Sequence, residues 1–209
     1  LTLAARCAGT EALRFRDRTC DPFAAPERLS VADAFLRHAG IDIMATIGSR
    51  GETDARALGA ALDAAGIRRA PDDTWSDMLA RVLVERVEPR LGLGRPTVLD
   101  RYPACEAALA RPAADDPRVA ERFELYACGV ELANAFGELT NPEEQRRRFT
   151  LEMEEKARRY GERYPLDEDF LDALALVPPA SGIALGFDRL VMLATGAPRI
   201  DEVLWTPVP

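Results

Sequence analysis

Three glutamates, Glu124, Glu131 and Glu138, recur at regular spacing in Phe123-Glu-Leu-Tyr-Ala-Cys-Gly-Val-Glu-Leu-Ala-Asn-Ala-Phe-Gly-Glu-Leu-Thr140, a stretch otherwise rich in apolar residues. The pattern predicts a half-buried β-hairpin. An unpaired carboxylate in such a place costs several kcal/mol or more, so a cation or a strong donor must stand beside it. A magnesium ion or a cationic substrate supplies either, which makes the hairpin a candidate active-site floor. If the hairpin loop holds an even number of residues, Glu124 and Glu131 project from the same side of the sheet. Adjacent carboxylates repel unless a cation joins them, and magnesium commonly takes one or two carboxylates and completes its shell with substrate phosphates. The alternative is that one glutamate meets an arginine. Asn134 and Glu138, further along, offer a neutral and an anionic acceptor to an ammonium group.

A second candidate lies in Gly182-Ile-Ala-Leu-Gly-Phe187, which predicts a strand passing directly into a helix over Asp188–Thr195. Gly182 and Gly186 remove side chains where a backbone can approach a flat or bulky ligand. Arg189 falls in the first helical turn, where its charge opposes the helix dipole. It suits that position if it faces an anion or stacks on an aromatic ring. The plainer reading is a surface arginine beside Asp188 acting as the helix cap.

The elements around these segments are readable in part. Residues 1–28 look irregular. Ser30 starts a helix that ends near Gly40, residues 54–65 form an alanine-rich helix, and a third begins at Thr74 with Asp77 three residues on. Its stripe of Met78, Leu79, Val82, Leu83 and Val87 predicts core packing, broken at Pro89. Thr97–Tyr102 reads as a strand, and residues 104–117 as a loop. Asn141-Pro-Glu-Glu144 marks a helix running to about Tyr160, its charges on a solvated face. A short helix follows over 167–176. Strands late and helices early predict an α+β fold with a mainly antiparallel sheet flanked by helices. We expect one domain over residues 1–209, with about 1–95 mainly helical and about 96–209 carrying the sheet.

The totals are those of a soluble globular chain: 209 residues, 47% hydrophobic and 30% charged, with a formal net charge of −8. That charge leans against a nucleic-acid partner. Cys7, Cys20, Cys105 and Cys128 lie far apart with no paired spacing, which favours a reducing cytoplasm over a zinc site or disulfides. His38 is the sole histidine, so a catalytic triad or a zinc-hydrolase site lacks parts. No apolar run reaches the length of a membrane span.

Taken together, the hairpin and Gly182-Ile-Ala-Leu-Gly-Phe-Asp-Arg-Leu190 resemble the C-terminal catalytic signatures of class II lysyl-tRNA synthetases, the second being similar to class II motif 3. Within that family the resemblance is greatest to the short paralogs that attach β-lysine to a lysine of translation elongation factor P. Asp116-Pro-Arg-Val-Ala-Glu-Arg-Phe123 and Pro142-Glu-Glu-Gln-Arg-Arg-Arg-Phe149 also match that group, and the similarity covers most of 75–205 and, more loosely, 1–74. It implies that Glu124 and Glu131 bind ATP through magnesium. Asn134, Phe136 and Glu138 would line an amino-acid pocket beside Gly182 and Ala184, with Glu138 taking the distal ammonium of lysine or β-lysine. Gly186 and Arg189 would hold ATP, and Glu131 and Arg189 would serve the chemistry. Ala184 stands where tRNA-charging enzymes usually have glycine and the paralogs have alanine. Ala135 and Gly137 depart from the more frequent glycine and histidine between Asn134 and Glu138, which leaves the ligand positions intact but alters pocket shape.

The implied reaction is ATP-dependent activation of lysine or β-lysine and transfer to elongation factor P, by a homodimer in its full-length form. Class II motifs 1 and 2 would precede Leu1, so the chain alone is expected to be inactive. A tRNA-charging lysyl enzyme and a non-catalytic synthetase-like binding module are the competing readings.

Overall fold

The computed structural model describes residues 1–206. The first thirty residues are more ordered than the sequence suggests: a helix, Thr2–Ala8 (α1), is followed by strands Leu13–Phe15 (β1), Arg18–Cys20 (β2) and Glu27–Ser30 (β3). Strands this short show no readable alternation. The β1–β2 turn also places Arg16 at φ 56 without the glycine or asparagine that usually signals it.

Three helices follow, each begun by the side chain its sequence offers. Ser30 accepts from the Asp33 N–H to start Val31–Ala39 (α2), and Gly40 ends it in the left-handed region. Asp54 caps Ala55–Ala64 (α3), and Thr74 forms a capping box with Asp77 at the head of Trp75–Val82 (α4). Pro89 cannot donate an N–H, so α4 widens into a π turn over Leu83–Val87 and closes as a 3₁₀ turn over Glu88–Arg90.

Thr97–Asp100 (β4), Arg122–Ala127 (β5), Val130–Gly137 (β6) and Ser181–Leu185 (β7) complete a five-stranded sheet in the order β3-β4-β5-β6-β7. The sheet is mixed: β3 runs parallel to β4 and the other three pairings are antiparallel. The expectation of helices first and strands last is corrected here, because β3 comes from the early half. One face packs Leu29, Leu99 and Tyr126 under α2–α4. The other packs Ala127 and Leu132 against β1, β2 and Leu190, Met192 and Leu193 of Phe187–Thr195 (α7).

Asn141 caps Pro142–Tyr160 (α5), and Asp167 caps Glu168–Leu174 (α6). The face of α5 is not wholly solvated: Gln145 and Arg148 are buried. Arg148 Nη1 donates to the carbonyls of Ala107 (2.8 Å) and Ala110 (2.9 Å), fixing the loop ahead of β5, while its Nε donates to Glu144 at 2.8 Å. Hydrogen bonds from Arg147, and then from Arg148, hold the Glu144 carboxyl down at about 2. A depressed acid contributes stability above its ordinary value of roughly 4.3 and loses it as pH falls toward the folded value. Stability read by equilibrium unfolding should therefore fall as pH drops from about 4.3 to about 2, and Glu144→Gln should flatten that part of the curve.

Among the described residues no helix is long and apolar enough to cross a membrane, and the four cysteines are unpaired.

Candidate active site

The β5–β6 hairpin turns through Cys128 and Gly129, with φ 56 and 71, the two positive values a type I′ turn requires. The loop is thus even, and near it Tyr126 pairs with Glu131 and Ala127 with Val130. Beyond Tyr126 the register shifts, so that Leu125 pairs with Ala133 and Glu124 with Asn134. The extra residue is Leu132. Next in sequence after Glu131, it turns to the α7 side, where it is buried, and Ala133, paired with Leu125, lies on that side as well. The bulge has a chemical consequence. In a regular strand Glu131 and Asn134, three apart, would face opposite ways; here Glu124, Tyr126, Glu131 and Asn134 all share the face turned toward α2–α4.

Strand β7 extends that face. Asn134 pairs with Ala184, and Phe136 with Gly182. Glu138 lies just past β6, its N–H donating to the Ala180 carbonyl at 3.0 Å. A Cβ on Gly182 would sit 2.7 Å from Glu138 Oε1, so the absent side chain leaves the space that carboxylate uses. Gly182→Ala is expected to displace Glu138 while changing stability by less than about 0.5 kcal/mol, since the position is exposed on an edge strand. A thermal melt and the Glu138 carboxyl carbon resonance check both parts. A Cβ on Gly186 would make only ordinary contacts, the nearest 3.4 Å away at Arg189 Cδ. Gly186, and not Asp188, occupies the N-cap position of α7, and it has no side-chain cap.

Glu124 and Glu131 both meet arginines. Glu124 is buried and accepts four donors: the Tyr102 hydroxyl (2.5 Å) and Tyr126 hydroxyl (2.7 Å) on Oε2, Arg122 Nη2 (2.7 Å) and a longer Asn134 Nδ2 contact (3.4 Å) on Oε1. Glu131 is more open and accepts from Arg189, whose Nη1 reaches its carbonyl at 2.9 Å and its Oε2 at 3.2 Å. Burial, and then the charges of Glu124 and Glu131, push the half-buried Glu88 carboxyl above the usual range. Three carboxylates therefore face two arginines, leaving net negative potential and hard oxygen donors on this face. No compact group of three or more metal-ligating side chains occurs among the described residues. A magnesium ion fits the donor chemistry only with oxygens from a ligand completing its shell. Glu131 is the accessible carboxylate, and the long Asn134 contact is the one Glu124 gives up most cheaply.

Sequence reasoning missed four members of this cluster. Arg122 and Tyr126 flank Glu124 at the same-face spacing of two residues, a signal present in the hairpin itself. Tyr102 and Glu88 come from distant turns and leave no local signature.

A cavity of about 190 Å³ opens beside the cluster, lined by Glu106, Leu109, Arg122, Asn134 and Phe136 among others. A larger concavity of about 1110 Å³ lies mainly on the opposite face, around Val98, Phe123, Ala135 and Ile183. Arg122, Phe136 and Gly182 also line it, and its arginines are already matched: Arg28 with Asp100, Arg101 with Asp115, Arg111 with Glu121 and Arg122 with Glu124.

A profile of the class II tRNA synthetases (D, K and N) matches residues 34–208. The chain belongs to this class II synthetase family. Among curated proteins it is 42% identical over 186 residues to an elongation factor P–(R)-β-lysine ligase of Salmonella typhi, covering 88% of this chain and 55% of that protein. It is 43% identical over 185 residues to the ligase of the same name from Proteus mirabilis, with the same coverage. The chain thus spans about half the length of the curated relatives it matches. Membership of the class II synthetase family gives the face bearing Glu124, Glu131 and Asn134 a chemical context.

Proposed function

We propose that this chain forms the single, partial catalytic domain of a cytoplasmic ligase that activates lysine or β-lysine with ATP and passes it to a lysine of elongation factor P. The observation that carries the reading is the bulge at Leu132, which brings Glu124, Glu131 and Asn134 onto the face shared with Gly182 and Ala184. The names of the relatives give the reading its acceptor.

The face divides into two ends. At the nucleotide end, Arg189 beside Glu131 offers a guanidinium to ATP phosphates, and the open approach at Gly186 leaves room for the nucleotide. Glu131, with Glu124, would hold magnesium, which when bound shields the phosphate charge against the incoming carboxylate. At the amino-acid end, Glu138 takes the distal ammonium. Asn134 offers Oδ1 to an amino group, and Phe136 covers the aliphatic chain. The Ala184 methyl beside Asn134 shortens the pocket, which suits a β-amino acid better than an α-amino acid.

In the reaction the substrate carboxylate oxygen bonds to the α-phosphorus and the bond to the β-phosphate breaks. Pyrophosphate leaves, and an acyl-adenylate remains. The acceptor amine then attacks the acyl carbon, AMP departs and the amine loses a proton. Nothing in these steps demands a histidine; orientation and charge placement supply the catalysis. We further propose a homodimer in the full-length protein, with tRNA the weaker acceptor.

Full-length protein incubated with ATP, (R)-β-lysine and elongation factor P tests the reading by mass spectrometry. One aminoacyl increment on a single elongation factor P lysine is expected. Acylation of tRNA instead, or no ATP consumption with either amino acid, would sink it.

A further inference from the structure

Arg122 has no assigned role, yet its guanidinium is engaged at all three nitrogens. Each nitrogen has its own partner: Nη2 donates to Glu124 Oε1 at 2.7 Å, Nε to Asn134 Oδ1 at 3.3 Å, and Nη1 to the Glu106 carbonyl at 2.8 Å. The guanidinium also lies over the Tyr102 ring, 4.4 Å from its centre. The Tyr102 hydroxyl in turn donates to Glu124. The side chain is only 20% exposed.

We infer that Arg122 is a positioning residue that locks the Glu124 carboxylate and the Asn134 amide into one relation, so that the nucleotide end and the amino-acid end are set together. This rests on the function proposed above. The physical case is the shape of the group. A guanidinium presents its donors in a rigid fork, and stacking on Tyr102 fixes the plane of that fork. With Nε on Asn134 Oδ1, the amide turns its Nδ2 toward Glu124, and Oδ1 keeps a second lone pair for a substrate ammonium. Were the amide to flip, an N–H would face the arginine and the ammonium acceptor would be lost. The bond to the Glu106 carbonyl ties the same unit to the wall of the adjoining cavity.

A lysine at this position restores charge beside Glu124, but its single ammonium cannot reproduce the fork. Arg122→Lys is therefore expected to weaken lysine binding about tenfold, as for one lost oriented hydrogen-bond acceptor. Its affinity for magnesium-ATP should stay within about threefold, the charge being retained. Arg122→Met should weaken both ligands. Calorimetry on the full-length protein reads the affinities. Nitrogen-15 spectra of the same full-length protein read the Asn134 side-chain amide, which should move toward the free-asparagine position in both variants while the β5 and β6 backbone amides hold theirs. An unmoved Asn134 amide overturns the inference. So does an Arg122→Lys protein that loses both ligands equally with its backbone signals displaced, since that marks a merely structural arginine. If the unmodified protein binds neither lysine nor ATP, the proposed function fails, and the Asn134 amide alone decides the role of Arg122.

Discussion

Glu124→Ala is expected to lower the stability of the protein by about 3–5 kcal/mol in urea denaturation, the largest loss for any single residue on this face. The carboxylate is buried and accepts from two hydroxyls, a guanidinium and an amide. Removing it leaves the Arg122 charge without its acid and the Tyr102 and Tyr126 hydroxyls without an acceptor. Breaking one side of a buried pair is costly because the survivor stays charged in a poor solvent. Glu124→Gln should cost less. It keeps one oxygen for Arg122, but its amide presents N–H groups where the tyrosine hydroxyls also donate. A loss below about 1 kcal/mol for the alanine variant, the scale of one ordinary hydrogen bond, would show that the cluster is far looser than its geometry implies.

Glu138→Gln is expected to weaken lysine binding between about ten- and a hundredfold, the worth of a charge-assisted hydrogen bond of about 1.5–3 kcal/mol. Magnesium-ATP affinity should be unchanged, because Glu138 lies at the far end of β6 from the Glu131–Arg189 pair. Gly182→Ala should reproduce much of the lysine defect without touching any charge, since its methyl would occupy the space of Glu138 Oε1. The two variants separate charge from placement. Titration calorimetry with lysine and with ATP, each alone, reads both. Equal loss of the two ligands in Glu138→Gln would contradict the division of the face.

The legible parts of this fold are those governed by local chemistry. Ser30, Asp54, Thr74 and Asn141 start their helices where a side-chain oxygen meets a free N–H, a relation contained within four residues. The hairpin was legible for a similar reason: period-two burial and an even turn are local. What escaped was non-local. The parallel pairing of β3 with β4 joins residues about seventy apart, and nothing in Glu-Arg-Leu-Ser announces its partner. The bulge at Leu132 was hidden because Leu132 and Ala133 are adjacent and both apolar, so alternation did not fix which of them faces inward and could not reveal a slip. That slip decides the site. Spacing alone set Asn134 and Glu138 apart from Glu131, and the bulge puts Asn134 beside it. A buried carboxylate does need a cation, yet Glu124 and Glu131 each already have an arginine, which sharpens the question from which cation to how many.

A crystal structure of the full-length protein with lysine, magnesium and a non-hydrolysable ATP analogue tests the two-ended face most directly. The distal ammonium is expected within hydrogen-bond distance of Glu138, an amino group at Asn134, and the phosphates between Arg189 and a magnesium ion on Glu131. An ammonium seated on Glu131, or phosphates bound in the concavity around Phe123 and Ala135 on the other face, would contradict it.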